Sequence, residues 1–313
     1  MNHKMVLRGD RPLKGAIVAQ GAKNAALPVM ASALLITNGA LKISRVPDLH
    51  DIQTMSDLLR NLGAEVLYSD GKMNIRTPEK LDWATPSALV RKMRASSLVL
   101  GPLLARCHRA VLPLPGGCAI GSRPIDLHLK GLTKMGAEIK LEHGSVHAEA
   151  QKLKGARIYL DFPSVGATEN LLMAAVLAEG ETVIENAARE PEISNLAAVL
   201  CRMGGHIEGD GTGTIRIRGV QELHEAEIEV IPDRIEASTY ILAGVITGGE
   251  VEVRGMEPEH LEALLAKLEE AGVRLAIEGD CVRTVPGERL SAVSLKTLPY
   301  PGFPTDLQPQ IMS

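Results

Sequence analysis

A repeated segment of about 70 residues constrains the fold of this chain more than any other feature. Each copy has a helical apolar pattern, then a glycine, then a short strand. The aligned glycines are Gly63, Gly136, Gly204 and Gly272, which stand 73, 68 and 68 residues apart. A glycine at a helix end supplies the left-handed conformation that stops the helix. Because a turn rich in Gly or Asp follows, each copy is predicted to end in a hairpin.

A second helical run, rich in Ala and Leu, precedes each of these segments. The runs cover residues 24–36, 87–105, 168–178 and 236–246. Their apolar residues surround the helix axis instead of following one face, which predicts that the helices pack inside and the sheets outside. The order of elements predicts an α/β fold built from βαβαββ-type units.

Composition excludes several classes of partner. Aromatic residues make up 2% of the chain, too few for the stacking platforms of single-stranded nucleic-acid binders. The longest mainly apolar run, 25–36, is too short to span a bilayer. The net charge of −4 favours local capture of an anion over a general attraction to polyanions. We expect neither a nucleic-acid nor a membrane partner.

The cysteines and histidines bear on compartment and metal. Cysteines 107, 118, 201 and 281 are widely spaced, and no apolar signal segment is present near residue 1. This pattern predicts a reducing compartment, and we expect a cytoplasmic protein. The histidines have no metal-ligand spacing, so we expect no metal site and treat His128 as structural.

The stretch 112–126 presents a cysteine at a glycine-rich turn. Pro115, Gly116 and Gly117 interrupt any helix or strand, Cys118 follows them, and Arg123 is five residues further on. A thiol near a guanidinium suits attack on, or proton donation to, an anionic substrate. A lone cysteine is more often a small buried hydrophobe, so this interpretation depends on the other motifs.

Two basic stretches are also suited to anions. Lys23 and Asn24 stand at the start of a predicted helix, where free N–H groups attract negative charge. The alternative is a solvated lysine beside an ordinary N-cap asparagine. Arg91 and Arg94 are predicted to share one face of the helix 87–105, where their guanidinium groups would suit a carboxylate or a phosphate.

Two further stretches carry candidate polar contacts. The backbone N–H groups of Ser164, Val165 and Gly166 open a predicted helix and could hold a diphosphate. An ordinary strand-to-helix turn is an equally good interpretation. Asp306 is a candidate base or hydroxyl acceptor, and the alternative is a helix N-cap.

Together these stretches make the chain resemble the bacterial enolpyruvyl transferases that act on UDP-N-acetylglucosamine. The matching segments are 21–28, 93–96, 114–124, 164–168, 185–192, 232–236 and 303–306. The Pro-Gly-Gly-Cys loop is the most specific of them. The sister family that makes enolpyruvylshikimate phosphate shares the architecture but lacks this loop.

The resemblance implies an inside-out α/β barrel architecture in two domains, residues 24–230 and residues 1–23 plus 231–313. Six units of about 70 residues would need about 420, so the second domain is expected to be about 107 residues short. We therefore expect little or no transferase activity from these 313 residues alone. Two alternatives stay open: a sugar-nucleotide-binding fragment without turnover, and a 3-phosphoshikimate 1-carboxyvinyltransferase-like enzyme.

The resemblance also implies roles for residues. Cys118 would be the general acid, which also forms an adduct with phosphoenolpyruvate, and Asp306 would accept the proton of the sugar 3′-hydroxyl. Lys23 would bind phosphoenolpyruvate with Asn24 beside it. Phosphoenolpyruvate and UDP-N-acetylglucosamine would be the substrates, with no cofactor.

Contacts to the UDP-sugar are implied for three segments. The residues are Arg94; Arg123, Pro124, Ile125, Asp126 and Leu127; and Ser164, Val165 and Gly166. Arg123 would also lie near the phosphoenolpyruvate. Phe162 departs from the members of the family that have a lysine at this position.

Overall fold

Helices are followed by one to three strands along most of the described chain. The computed structural model describes residues 4, 6, 9, 11–90, 93–114, 125–287 and 290–313, and at Arg94 it describes the backbone alone. The contacts divide the chain into two compact units. We call Gly21–Ile231 the large unit, and Met1–Gln20 with Pro232–Ser313 the small unit.

The α-helices of the described residues are α1 (Lys23–Ser32), α2 (His50–Asn61), α3 (Ser87–Val90), α4 (Leu100–Cys107), α5 (Asp126–Lys134), α6 (Val165–Ala175), α7 (Pro191–Arg202), α8 (Arg234–Ile246), α9 (Glu262–Glu270) and α10 (Gln308–Met312). Short 3₁₀ turns cover Ala33–Leu35, Arg94–Val99, Pro258–Leu261 and Thr305–Leu307. In the part of the chain that the structure describes, no helix combines the length and the hydropathy of a membrane span.

The strands of the described residues are β1 (Lys14–Val18), β2 (Ala40–Ser44), β3 (Glu65–Ser69), β4 (Lys72–Arg76), β5 (Arg109–Pro113), β6 (Glu138–Glu142), β7 (Ser145–Glu149), β8 (Arg157–Tyr159), β9 (Glu181–Glu185), β10 (His206–Glu208), β11 (Thr214–Arg218), β12 (Ala226–Glu229), β13 (Glu250–Arg254), β14 (Arg274–Glu278) and β15 (Cys281–Val285).

The sheets of the large unit repeat one plan. Their strand orders are β12-β2-β4-β3, β10-β11-β9-β8 and β5-β7-β6. In each of the first two sheets, three strands pair antiparallel. A fourth strand lies at one edge and pairs parallel: β12 beside β2, and β8 beside β9. In the third, a single parallel bridge between Ala84 and Val111 occupies the corresponding place. The sequence repeat is thus a structural repeat.

The hairpins predicted from the repeated turns are confirmed. The pairs β3–β4, β6–β7, β10–β11 and β14–β15 are all antiparallel. Asp70 and Gly71 have φ values of 51° and 73°. A two-residue hairpin turn needs positive φ at both positions if it is to match the right-handed twist of the two strands. The four aligned glycines that end the preceding helices have φ between 83° and 106°. Glycine adopts this region without strain.

Apolar helices form the centre of the large unit. In α1 every residue from 25 to 32 is buried, and in α6 every residue from 167 to 175 is buried. α4 packs against α6, and α1 packs against α2 and α7. Strands such as β11 alternate exposed and buried residues and cover this centre with one face. The prediction that helices pack inside and sheets outside is confirmed for this unit.

The single helix predicted over 87–105 is broken. α3 ends at Val90, Met93 is extended (φ −140°, ψ 123°), and a 3₁₀ turn precedes α4. Met93 lies between the two arginines that were predicted to share a helix face. That prediction is wrong, since no continuous helix joins them; Arg91 itself lies outside the described residues.

The side chain of Asn170, in α6, replaces one helical hydrogen bond where the 3₁₀ turn meets α4. A continuous α-helix would pair the N–H of Gly101 with the carbonyl of Ser97, four residues earlier. Asn170 bonds to both groups instead. Its Nδ2 donates to the Ser97 carbonyl at 2.6 Å, and its Oδ1 accepts from the Gly101 N–H.

The small unit contains one sheet in its described residues, with the order β1-β13-β15-β14. β1 runs parallel to β13, and the other pairs are antiparallel, as in the large unit. α8 packs against β13 and β15. Asp233 caps α8, because its Oδ1 accepts from the N–H groups of Ile235 and Glu236 at 2.9 and 3.0 Å.

Candidate functional site

The first turn of α1 presents two backbone N–H groups that have no partner among the described residues. Ala22 is the N-cap residue and makes no side-chain cap bond. The N–H groups of Ala25 and Ala26 donate to the Ala22 carbonyl, which leaves those of Lys23 and Asn24. Such a helix start attracts anions. Asn24 lies inside the helix, so the alternative that it is the N-cap residue is wrong.

Lys23 is paired with a carboxylate from the next helix. Its Nζ lies 3.0 Å from the Oδ2 of Asp51, which stands in the first turn of α2. The side chains are 39% and 35% exposed, so both stay accessible to a dissolved anion. Asp51 could not be identified from the sequence, since a carboxylate 28 residues away gives no local signal.

The start of α6 has a similar arrangement. Ser164 is its N-cap residue, and its Oγ accepts from the N–H of Ala167 at 3.3 Å. The N–H of Ser164 donates to the Phe162 carbonyl at 2.7 Å. Of the three N–H groups predicted to hold a diphosphate, those of Val165 and Gly166 therefore lack a partner in the described part of the chain, whereas that of Ser164 is already bonded.

The turn before α6 is linked to α5. Phe162 is 58% exposed and brings no charge to the turn. Its neighbour Asp161 pairs with Lys130 of α5, with 2.5 Å between Oδ2 and Nζ. The two helices that carry predicted UDP-sugar contacts are thus joined at this end by an ion pair.

α5 also positions predicted contact residues. Ile125 is buried at the N-cap position, Asp126 is exposed as the first residue of the helix, and Leu127 is half-buried. Arg94 opens the 3₁₀ turn before α4. The predicted residues Cys118, Arg123 and Pro124 lie outside the described residues.

Asp306 lies in the small unit. It is exposed, in the first turn of the 3₁₀ segment Thr305–Leu307, which runs directly into α10. The N-cap residue of that segment is Pro304, so the alternative interpretation of Asp306 as an N-cap is wrong. An exposed carboxylate is free to accept a proton from a hydroxyl.

Two buried polar residues of α6, Glu169 and Asn170, could not be recognised from the sequence. Asn170 is fully buried and bonds to His128 of α5, with 3.0 Å between its Nδ2 and the Nδ1 of the ring. Glu169 is 4% exposed, and its Oε1 has no partner among the described residues. Burial, then the charges of Glu192 and Glu190, raise the pKa of Glu169 well above its ordinary value.

Comparison with protein families gives one match along almost the whole chain. The family described as EPSP synthase (3-phosphoshikimate 1-carboxyvinyltransferase) matches residues 7–313.

Two curated relatives are similar in sequence along almost the whole chain. UDP-N-acetylglucosamine 1-carboxyvinyltransferase 2 of Carboxydothermus hydrogenoformans is 54% identical over 312 residues, which are 99% of this chain and 74% of that protein. UDP-N-acetylglucosamine 1-carboxyvinyltransferase 1 of Halalkalibacterium halodurans is 51% identical over 311 residues, which are 99% of this chain and 71% of that protein.

Solved structures agree on the fold. The enolpyruvyl transferase NikO of Streptomyces tendae matches with a TM-score of 0.85 and 25% identity, over 97% of this chain and 72% of that one. EPSP synthase of Acinetobacter baumannii matches with a TM-score of 0.70 and 21% identity, over 92% and 68%. The predicted enolpyruvyl transferase fold is confirmed.

Proposed function

Since the chain belongs to the UDP-N-acetylglucosamine 1-carboxyvinyltransferases, within the wider EPSP synthase family, we propose that it transfers the enolpyruvyl group of phosphoenolpyruvate to UDP-N-acetylglucosamine. The acceptor is the sugar 3′-hydroxyl, and phosphate is released. The product is the first committed intermediate of peptidoglycan synthesis. The described cysteines 107, 201 and 281 are free thiols, which supports the cytoplasm as its compartment.

The start of α6 is the observation that carries this proposal. The N–H groups of Val165 and Gly166 point out of the helix without partners in the described residues, and the Ser164 hydroxyl lies beside them. A helix start of this kind binds a diphosphate through backbone donors and the helix dipole, without a side-chain cation. The uncharged side chain of Phe162 in this turn is therefore compatible with diphosphate binding.

The start of α1 is assigned to the smaller anion. Lys23 supplies a positive charge beside two N–H donors, a set that suits the phosphate of phosphoenolpyruvate. The guanidinium group of Arg123 supplies a second cation, and Arg94 with residues 125–127 contacts the UDP-sugar. Asn24, next to Lys23, donates or accepts hydrogen bonds from the bound substrates.

Two groups move protons in the proposed reaction. Asp306 takes the proton of the 3′-hydroxyl as that oxygen attacks C2 of phosphoenolpyruvate. Cys118 gives a proton to C3, which a thiol with a reference pKa of about 8.5 still holds at neutral pH. The tetrahedral intermediate then loses a proton from C3 together with phosphate, and the carbon–carbon double bond forms again.

Isothermal calorimetry tests the substrate assignment. We expect UDP-N-acetylglucosamine to bind and shikimate 3-phosphate not to bind. Binding of shikimate 3-phosphate alone would overturn the assignment and favour the 3-phosphoshikimate 1-carboxyvinyltransferase reaction. Release of phosphate from the two substrates together, measured with the protein in excess, distinguishes a transferase from a protein that binds without turnover.

A further inference from the structure

Thr168 lies in the first turn of α6 and is fully buried, and its hydroxyl group makes two hydrogen bonds there. The oxygen accepts from the N–H of Ala188 at 3.1 Å and lies 2.8 Å from the carbonyl oxygen of Ser164. Because an N–H group only donates, the single hydroxyl hydrogen is left for the carbonyl. The Ser164 carbonyl therefore accepts two bonds, since the N–H of Thr168 also donates to it at 2.9 Å.

The peptide unit between Ser164 and Val165 links this hydroxyl group to a proposed ligand donor. The unit is trans, and in a planar trans peptide the carbonyl oxygen and the N–H hydrogen point in opposite directions. Because Thr168 holds the Ser164 carbonyl along the helix, the N–H of Val165 is held pointing out of the helix start. The bonds that the carbonyl accepts also polarise the peptide unit, which makes this N–H a stronger donor.

One segment, residues 185–188, bonds to both sides of the turn that precedes α6. On the strand side, the Nδ2 of Asn186 donates to the carbonyl of Leu160 at 2.8 Å. On the helix side, the N–H of Ala188 donates to the hydroxyl group of Thr168. Asn186 has a φ of 53°, a left-handed conformation in which asparagine is enriched among the residues with side chains. The segment thus braces the turn at its two ends.

We propose that Thr168 is a positioning residue for the diphosphate of the sugar nucleotide and that residues 185–188 hold it in place. Its hydroxyl group does not touch the ligand; it fixes the direction in which the N–H of Val165 points. The inference rests on the proposed function, which assigns the diphosphate to the start of α6. A Thr168 that only stabilised the core would lower the free energy of unfolding and leave the affinity of the folded protein unchanged.

Thr168→Val and Thr168→Ser are a matched pair of variants, since valine has a similar shape without the hydroxyl group and serine keeps it. We expect Thr168→Val to weaken UDP-N-acetylglucosamine binding about tenfold and Thr168→Ser to stay within about threefold of the wild type. Phosphoenolpyruvate, assigned to the start of α1, should bind equally well to both. Calorimetry measures the affinities under conditions in which urea denaturation shows each variant to be folded. Equal affinities of the two variants for the sugar nucleotide, or parallel weakening of both ligands, would overturn the proposal.

Thr284→Val is the control for the loss of a buried hydroxyl group elsewhere. Thr284, in β15, is 1% exposed, and its Oγ1 accepts from the N–H of Val251 at 2.9 Å and donates to the carbonyl of Gly249 at 3.0 Å. This is the bonding pattern of Thr168, in the small unit. We expect Thr284→Val to lose stability and to keep its affinity for UDP-N-acetylglucosamine. The same loss of affinity in Thr284→Val and Thr168→Val would contradict a specific role of Thr168.

Asn186→Gly keeps the test decisive if Thr168→Val does not fold. Glycine adopts a φ of 53° without strain, so the path of the backbone is kept while the bond to the Leu160 carbonyl is lost. We expect UDP-N-acetylglucosamine to bind about threefold more weakly and phosphoenolpyruvate to bind as in the wild type. Unchanged binding of the sugar nucleotide would show that residues 185–188 do not position the turn.

The wild-type protein separates a failure of this inference from a failure of the proposed function. If it does not bind UDP-N-acetylglucosamine, the proposed function is wrong and the positioning role falls with it. If it binds the sugar nucleotide and the variants of Thr168 and Asn186 bind it equally well, the proposed function stands and the positioning role alone is wrong.

Discussion

The Nζ atom of Lys23 lies 3.0 Å from the Oδ2 atom of Asp51, so the amine at the start of α1 is bound to the first turn of α2. The pair fixes the amine of Lys23, the first residue of α1. It also places a negative charge next to a site that we assign to an anion. Asp51 therefore orients Lys23 and opposes the ligand at the same time.

Asp51→Asn is expected to tighten phosphoenolpyruvate binding by up to about fivefold, because a partly exposed ion pair is worth at most about 1 kcal/mol. Calorimetry at low salt measures the change, which should shrink at high salt as charges are screened. Asp57→Asn is the matched control, since it removes a carboxylate of the same helix that is paired with Arg60 instead. The same gain in both variants would show that only net charge matters.

In a protein extended to the full length of its curated relatives, Cys118→Asp is expected to retain turnover, because a carboxyl group can still donate a proton to C3, whereas Cys118→Ser is expected to lose it. The measurement is phosphate release in a single turnover, with the protein in excess over both substrates. Cys201→Ser, which changes an exposed thiol elsewhere in the large unit, serves as the control and should leave the rate unchanged. A fully active Cys118→Ser variant would exclude the thiol as the acid.

Glu169→Gln is expected to make the folded state more stable at neutral pH. Burial raises the pKa of Glu169, so in the wild type the unfolded chain loses this proton first, from about pH 4.3 upwards. The stability of the wild type then falls as pH rises towards the folded-state pKa, whereas the glutamine stays neutral. Urea denaturation at pH 4 and pH 7.5 should show a gain at pH 7.5 alone.

Glu179→Gln provides a control of opposite sign. A hydrogen bond from Lys152 lowers the pKa of Glu179, so its contribution to stability is present above the unfolded pKa and is lost as pH falls. This variant should be slightly less stable than the wild type at pH 7.5. If Glu169→Gln also lost stability at pH 7.5, the buried carboxyl would be ionised and paired in the folded protein.

The repeated plan of the fold could be read from the sequence because its signals are local. Gly63 and its three counterparts end helices through their own backbone conformation, and Asp70-Gly71 forms a turn that needs no distant partner. The buried helices could be recognised because residues such as 25–32 are apolar on every side. Each of these signals lies within a few residues of the feature it predicts.

The 3₁₀ turn before α4 could not be read in this way, because a side chain that bonds to it lies about 70 residues away. Asn170 takes the two groups of Ser97 and Gly101 that a continuous helix would pair. For the same reason the candidate site was only partly predicted. The helix starts that we propose to bind anions could be read from local sequence, whereas the Lys23–Asp51 pair and the position of His128 depend on packing between helices.

Gly101→Ala is expected to destabilise the large unit, because α4 and α6 approach too closely there for a side chain. A Cβ atom at Gly101 would lie 2.3 Å from the carbonyl oxygen of Asn170 and 2.5 Å from its Oδ1. Backbone must then move, and overpacking of this kind costs about 1–3 kcal/mol. The measurement is the free energy of unfolding in urea.

Gly213→Ala is the matched control, because a Cβ atom there would meet nothing within 4 Å. We expect it to stay within about 0.5 kcal/mol of the wild type. A Gly101→Ala protein as stable as the wild type would show that α4 and α6 are further apart than the structure places them.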